Sequence, residues 1–241
     1  MIPIKDTIPH IGIPLITWII ILLNGIIFIF EISIPKDLLE EVFYLFGLVP
    51  ARYSYHKWAL THGLSPSDYL PFLTNMFLHA GWLHIIGNMW FLHVFGSSVE
   101  DRMGHARFLI FYILTGLVAN FIFYILDIHS TIPEFGASGA IAGVMGAYIV
   151  MFPRARILTL IPIFIFPFFV NLSALFYIGF WFLIQLLSGT LSFTSQSTGG
   201  IAWWAHVGGF IAGIVFLPLF RNRRYSYRKL FPDESYQYIN R

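Results

Sequence analysis

Six long apolar stretches with almost no internal alternation constrain this chain more than any other feature. They lie at about 12–34, 75–99, 107–127, 138–152, 169–188 and 201–220. A helix needs about 20 apolar residues to cross about 30 Å of hydrocarbon. Non-helical spans would leave backbone groups unpaired in lipid unless closed into a barrel. A barrel needs the in–out alternation that these runs lack. The expected fold class is therefore all-α: a polytopic membrane protein of six transmembrane helices, with a large external loop between the first and second. Composition agrees, since 11% of residues are charged and 57% hydrophobic, against about 25% charged in soluble domains.

Lys and Arg set the expected orientation. An even number of spans puts both termini on one side, together with Lys5, Arg102, Arg107, Arg154, Arg156, Arg221, Arg223, Arg224, Arg228, Lys229 and Arg241. The other side holds only Lys36, Arg52 and Lys57. The richer side is expected to be cytoplasmic, which places the protein in a cell membrane as a multi-pass chain. The basic tail then reads as a topology anchor near anionic lipid, and no nucleic-acid partner is expected. Cysteine is absent, which excludes disulfides, a thiol nucleophile and Cys-ligated zinc. The first span is too long for a signal peptide and lacks a cleavage pattern, so it is expected to be retained.

Residues 1–241 read as one domain, with a core at about 72–220 and a short basic tail at 221–241. The external segment 35–74 mixes Pro35, Asp37, Glu40 and Glu41 with apolar and aromatic residues. That mixture predicts short interfacial helices serving as a lid or scaffold. Pro153, Pro162 and Pro167 speak against a continuous helix between the fourth and fifth spans. Gly189 to Gly200 reads as a flexible external loop.

The chemistry concentrates at one depth. Ser138, His206 and His84 lie fourteen residues before Phe152, Phe220 and Ser98 near the inner ends of their spans, which puts all three about 21 Å from the inner boundary. The fifteen residues from Ser138 to Phe152 cannot cross the core alone, so this helix is expected to begin inside the membrane. Pro133 to Ala137 then dips inward, which is tolerated only against protein or a water-filled cavity.

A serine hydroxyl needs a base to take its proton, and His206 is a suitable one. The charge that develops on a carbonyl oxygen needs donors. Free amides at the helix start, including the Ser138 backbone N–H, supply them. His84 and Asn88, four apart on one helical face, add side-chain donors. Gly139 and Gly143, with Gly209 and Gly213, give small-xxx-small faces for close helix packing. Asn88 alone would serve equally as interhelical glue, and His93 and His105 read as ordinary interface residues. No H-E-x-x-H pattern is present, and neither metal nor cofactor is expected.

From about Phe72 to Gly213 these residues resemble the rhomboid family of intramembrane serine proteases. Phe77-Leu78-His79-Ala80-Gly81-Trp82-Leu83-His84 leading to Asn88 resembles the family's His-x-x-x-Asn motif. Gly136-Ala137-Ser138-Gly139 resembles its nucleophile motif, and Ala205-His206-Val207-Gly208-Gly209 its base motif. Glu100-Asp101-Arg102 resembles its Glu-x-Arg. The resemblance implies Ser138 as nucleophile, His206 as base, His84 and Asn88 as oxyanion contributors, and transmembrane proteins as substrates. It also makes the fifth helix, with Phe176, Phe180 and Trp181, and the 189–200 loop a candidate gate and cap.

The chain departs from the pattern in two places. The first external loop lacks the family's Trp-Arg pair, and Ala142 stands where some members carry an aromatic residue near the histidine. The six-span layout is similar to prokaryotic members. An inactive membrane-segment binder, a transporter and another protease class are the competing readings. The presence of both Ser138 and His206, the absence of mid-membrane carboxylates, and the missing zinc and paired-aspartate motifs count against them.

Overall fold

Glu100 shows how this apolar chain settles its helix ends. In the computed structural model, which describes residues 1–10, 12–164, 166–195 and 202–221, its carboxylate is 1% exposed. It accepts the Ile16 amide at 2.8 Å, and the Thr17 amide and hydroxyl at 2.7 Å each. The two amides are donors that the first turn of a helix leaves without intrahelical partners. The helix they open, α1 (Leu15–Ser33), carries no charge until Glu31. Glu31 is buried and accepts the His79 amide at 3.2 Å.

The segment after α1 folds as α2 (Lys36–Phe46), α3 (Pro50–Ser54), α4 (His56–Thr61) and α5 (Pro71–Thr74). Arg52, 2% exposed, pins it together. Its guanidinium donates to Leu45 O at 3.0 Å, Ser65 O at 2.9 Å and Asp68 Oδ2 at 2.8 Å. The segment also grips the loop that leads to Ser138. Leu48 and Glu134 exchange backbone hydrogen bonds of 2.9 Å, and the Ala51 amide donates to Ser130 O at 2.9 Å.

The second apolar run begins differently from the expected span. Asn75–Phe77 is a single 3₁₀ turn, and the helix proper starts at Trp82. Gly81, extended at φ 162°, separates the two. α6 (Trp82–Phe91) runs through a π-helical segment, Leu92–Gly96, into α7 (Ser97–Met103). α8 (His105–Leu126) and α9 (Ser138–Met151) follow.

Every residue of α9 from Ala140 to Tyr148 is buried. A helix sheathed in other helices need not match the bilayer thickness, because protein rather than lipid meets its ends. α10 (Ala174–Ser195) and α11 (Ala202–Phe220) complete the set. Among the described residues, four helices are long and apolar enough to cross a membrane: α1, α8, α10 and α11. α9 is a shorter apolar helix, and α6–α7 is the composite one.

The stretch expected to interrupt helix does so as a sheet. β2 (Arg156–Ile163) and β3 (Phe166–Ser173) pair antiparallel in unbroken register from Arg156↔Ser173 to Ile163↔Phe166. β1 (Ile2–Asp6) adds to the outer edge of β2, giving the order β1-β2-β3. The fifth helix therefore begins at Ala174 rather than at 169, since Phe169–Ser173 is strand. Pro162 and Pro167 face each other beside the turn. Neither can donate within a helix, whereas the β-branched and aromatic residues around them suit strands.

Asp6 fastens β1 to the helices. Its Oδ2 accepts Ser98 Oγ–H at 2.6 Å and Tyr148 O–H at 2.8 Å. Burial pushes this carboxyl above the ordinary carboxylate range, against the opposing pull of the hydrogen bonds from Ser98 and Tyr148. A raised value favours the protonated form in the fold. Its stabilisation is complete below the unfolded-state value and is lost as pH rises through the folded one. Asp6→Asn is therefore expected to melt above wild type at neutral pH, with the gap closing in mild acid. Thermal unfolding at both pH values reads this directly. A gap that widens in acid would contradict the sign.

Candidate active site

Ser138 is the first residue of α9, and its neighbours explain how a serine can sit there uncovered. Gly136, two residues earlier, has φ 133°, a conformation that L side chains rarely adopt. A Cβ at Gly136 would also lie 2.8 Å from His84 Nε2. Glycine thus lets the loop pass directly under the imidazole of α6. The Gly136 amide donates to Asn75 O at 2.8 Å, which anchors the loop to the 3₁₀ turn. The next hydrogen bond, Ile141 N–H to Ala137 O at 3.0 Å, starts the helix. By helix geometry, the amides at the very start of α9 have no intrahelical acceptor.

His206 reaches the same point from α11. Its Nε2 lies 2.7 Å from Ser138 Oγ, although the two residues are 68 apart in sequence. Its Nδ1 lies 2.8 Å from Gln185 Oε1. A carbonyl-type oxygen offers only lone pairs, so Nδ1 carries the hydrogen, Nε2 is the acceptor, and the Ser138 hydroxyl donates to it. The packing beneath is backbone on backbone. A Cβ at Gly209 would strike the Gly139 carbonyl, and one at Gly213 would strike the Gly143 carbonyl. Gly139 and Gly143 in turn face Ala119 and Thr115 of α8.

His84 and Asn88 line the same cavity of about 280 Å³ as Ser138 and His206. His84 Nδ1 accepts the Ala80 amide at 3.5 Å, which leaves Nε2 as the protonated, donating nitrogen beside Gly136. Asn88 Nδ2 donates to His79 Nε2 at 3.0 Å. An amide nitrogen has two hydrogens, so one remains for the cavity. All four residues expected at the site therefore share it.

Ala142 is fully buried and offers the imidazole no aromatic neighbour. Trp181 of α10 lies against the ring instead, with centroids 6.1 Å apart, and Trp203 lies at the same distance edge-on. Gln185 is the residue that sequence reasoning misses. Its signal is a lone amide in the apolar run Phe180-Trp181-Phe182-Leu183-Ile184-Gln185-Leu186-Leu187, where polar groups are costly. Of the expected loop and cap at 189–200, residues 189–195 are helix, the last turns of α10; residues 196–200 lie outside the described residues, as does the tail from 222 with Arg223, Arg224, Arg228, Lys229 and Arg241. Among the described residues no cluster of His, Asp and Glu is suited to a metal ion.

Comparison with known proteins converges on the same region. The family model of the Rhomboid domain matches residues 66–223. The chain is 32% identical over 120 residues to "Rhomboid-like protein 11, chloroplastic" of Arabidopsis thaliana, covering 50% of this chain and 39% of that protein. It is 32% identical over 118 residues to "Putative rhomboid protease YdcA" of Bacillus subtilis (strain 168), covering 47% and 58%. It is 28% identical over 156 residues to the mitochondrial "Presenilin-associated rhomboid-like protein" of Mus musculus, covering 61% and 37%. The matches thus span between about two fifths and three fifths of these relatives.

Proposed function

The chain belongs to the rhomboid family, and from that premise we propose that it is an intramembrane serine endopeptidase cleaving membrane-anchored proteins. The observation that carries this reading is the 2.7 Å contact between His206 Nε2 and Ser138 Oγ inside a shared cavity. Ser138 Oγ attacks the scissile carbonyl carbon while His206 Nε2 takes its proton. Negative charge gathers on the carbonyl oxygen, met by the Ser138 amide, His84 Nε2–H and the second Asn88 N–H. The C–N bond then breaks, and His206 returns the proton to the leaving amine. Water, deprotonated by the same nitrogen, hydrolyses the acyl-enzyme.

The same reading takes residues 1–241 as one domain with six spans. It places both termini in the cytoplasm, by the Lys and Arg asymmetry, and opens the cavity towards the other side of a cell membrane. The external segment serves as a scaffold. Its bonds through Leu48 and Ala51 hold the loop from which Ser138 emerges.

The direct test is a serine-directed covalent probe on purified protein, which labels wild type and not Ser138→Ala. Equal labelling of both would remove the nucleophile. Asn88→Ala is expected to lower kcat by about 10²- to 10³-fold, the cost of one oxyanion donor, with KM little changed. Unchanged turnover of a reporter would reduce Asn88 to helix-packing glue.

A further inference from the structure

Gln185 sits on α10, which contributes neither the nucleophile nor the base, yet its side chain closes on the imidazole. It is 4% exposed, and both ends of its amide are engaged. Oε1 meets His206 Nδ1 at 2.8 Å, and Nε2 donates to Trp181 O at 3.3 Å. The second contact settles the first. Turning the amide over would set its N–H groups against Nδ1 and its oxygen against a backbone carbonyl. We propose that Gln185 is a positioning residue for His206, accepting Nδ1–H and so fixing the tautomer whose Nε2 faces Ser138.

This rests on the proteolytic reading and extends it. A two-residue site becomes a relay of three in which the third member is a neutral amide. Gln185 takes no proton. The proton of Ser138 stops at Nε2, and Nδ1–H stays on the ring throughout. Trp181, one turn before Gln185, covers the same imidazole. The aim of the base therefore depends on α10 lying docked against α11. Without the acceptor, the ring can present Nε2–H to the serine, a tautomer unable to receive its proton.

The test compares Gln185→Met, of similar length but without the acceptor, with Gln185→Glu, which keeps it. Both are assayed on a single-span reporter beside Ser138→Ala. Gln185→Met is expected to lower kcat by about 10- to 100-fold, as one buried donor left unpaired costs, with KM little changed. Gln185→Glu should recover most of that loss. Nitrogen NMR of histidine-labelled wild type in lipid should show His206 with its hydrogen on Nδ1, and a mixed population in Gln185→Met.

Wild-type turnover in Gln185→Met overturns the proposal. So does an Nε2–H tautomer in wild type, whatever the folding of the variants. Cleavage retained by Ser138→Ala would instead overturn the proteolytic reading, a distinct outcome.

Discussion

Ser138→Ala is expected to reduce cleavage of a single-span reporter by roughly 10⁴- to 10⁶-fold, the loss seen when a serine nucleophile is removed from a hydrolytic relay. The protein should fold as before, because the hydroxyl is a partly exposed cavity group rather than a packing element. His206→Ala should lose a similar amount. The double variant should be no worse than either single one, since residues acting as one unit are not additive. Reporter cleavage in proteoliposomes, read with thermal unfolding, checks all three. Turnover by Ser138→Ala within tenfold of wild type would sink the assignment. Additive losses would show that the two side chains act separately.

Gly213→Val should produce the second large effect, by another route. The position has no room for any Cβ: beyond the Gly143 carbonyl, the Gly143 Cα lies 2.8 Å from where it would stand. A valine must push α11 away from α9, and overpacking of this kind costs about 1–3 kcal/mol or more. The same push moves His206 away from Ser138, because the two helices carry the two groups. A misplacement of about 1 Å costs on the order of 100-fold in rate. The variant is thus expected to lose both thermal stability and at least 100-fold of its activity. Gly25→Ala is the control, since nothing lies within 4 Å of a Cβ there. Equal behaviour of the two variants would mean that the close packing is not what aims the base.

Much of the fold and most residues of the candidate site are legible in the amino-acid sequence. Hydrophobic run length marks α1, α8, α9 and α11 to within about three residues, because a span's apolar composition is a local property. Ser138, His206, His84 and Asn88 are legible for a different reason. Each sits in a short motif whose neighbours (Gly136, Gly139, Gly209) serve the same site. The sheet is not legible. Phe169–Ser173 of β3 is apolar enough to read as the start of the fifth span, and β1 pairs with β2 across most of the chain, as in Ile2↔Leu160. Nor is the late start of the second helix, which turns on where the loop 78–81 meets Glu31.

Sequence alone marked this chain as a helical membrane protein with a serine and a histidine at matching positions along their helices, because residue type and spacing are local properties. Only the tertiary structure decided which side chains meet. Glycine-on-carbonyl packing sets how α9 and α11 face each other. The docking of α10 then selects Gln185 and Trp181, rather than their neighbours, to face the imidazole. Helix rotation and docking depend on contacts between residues far apart in the chain, so no local pattern records them.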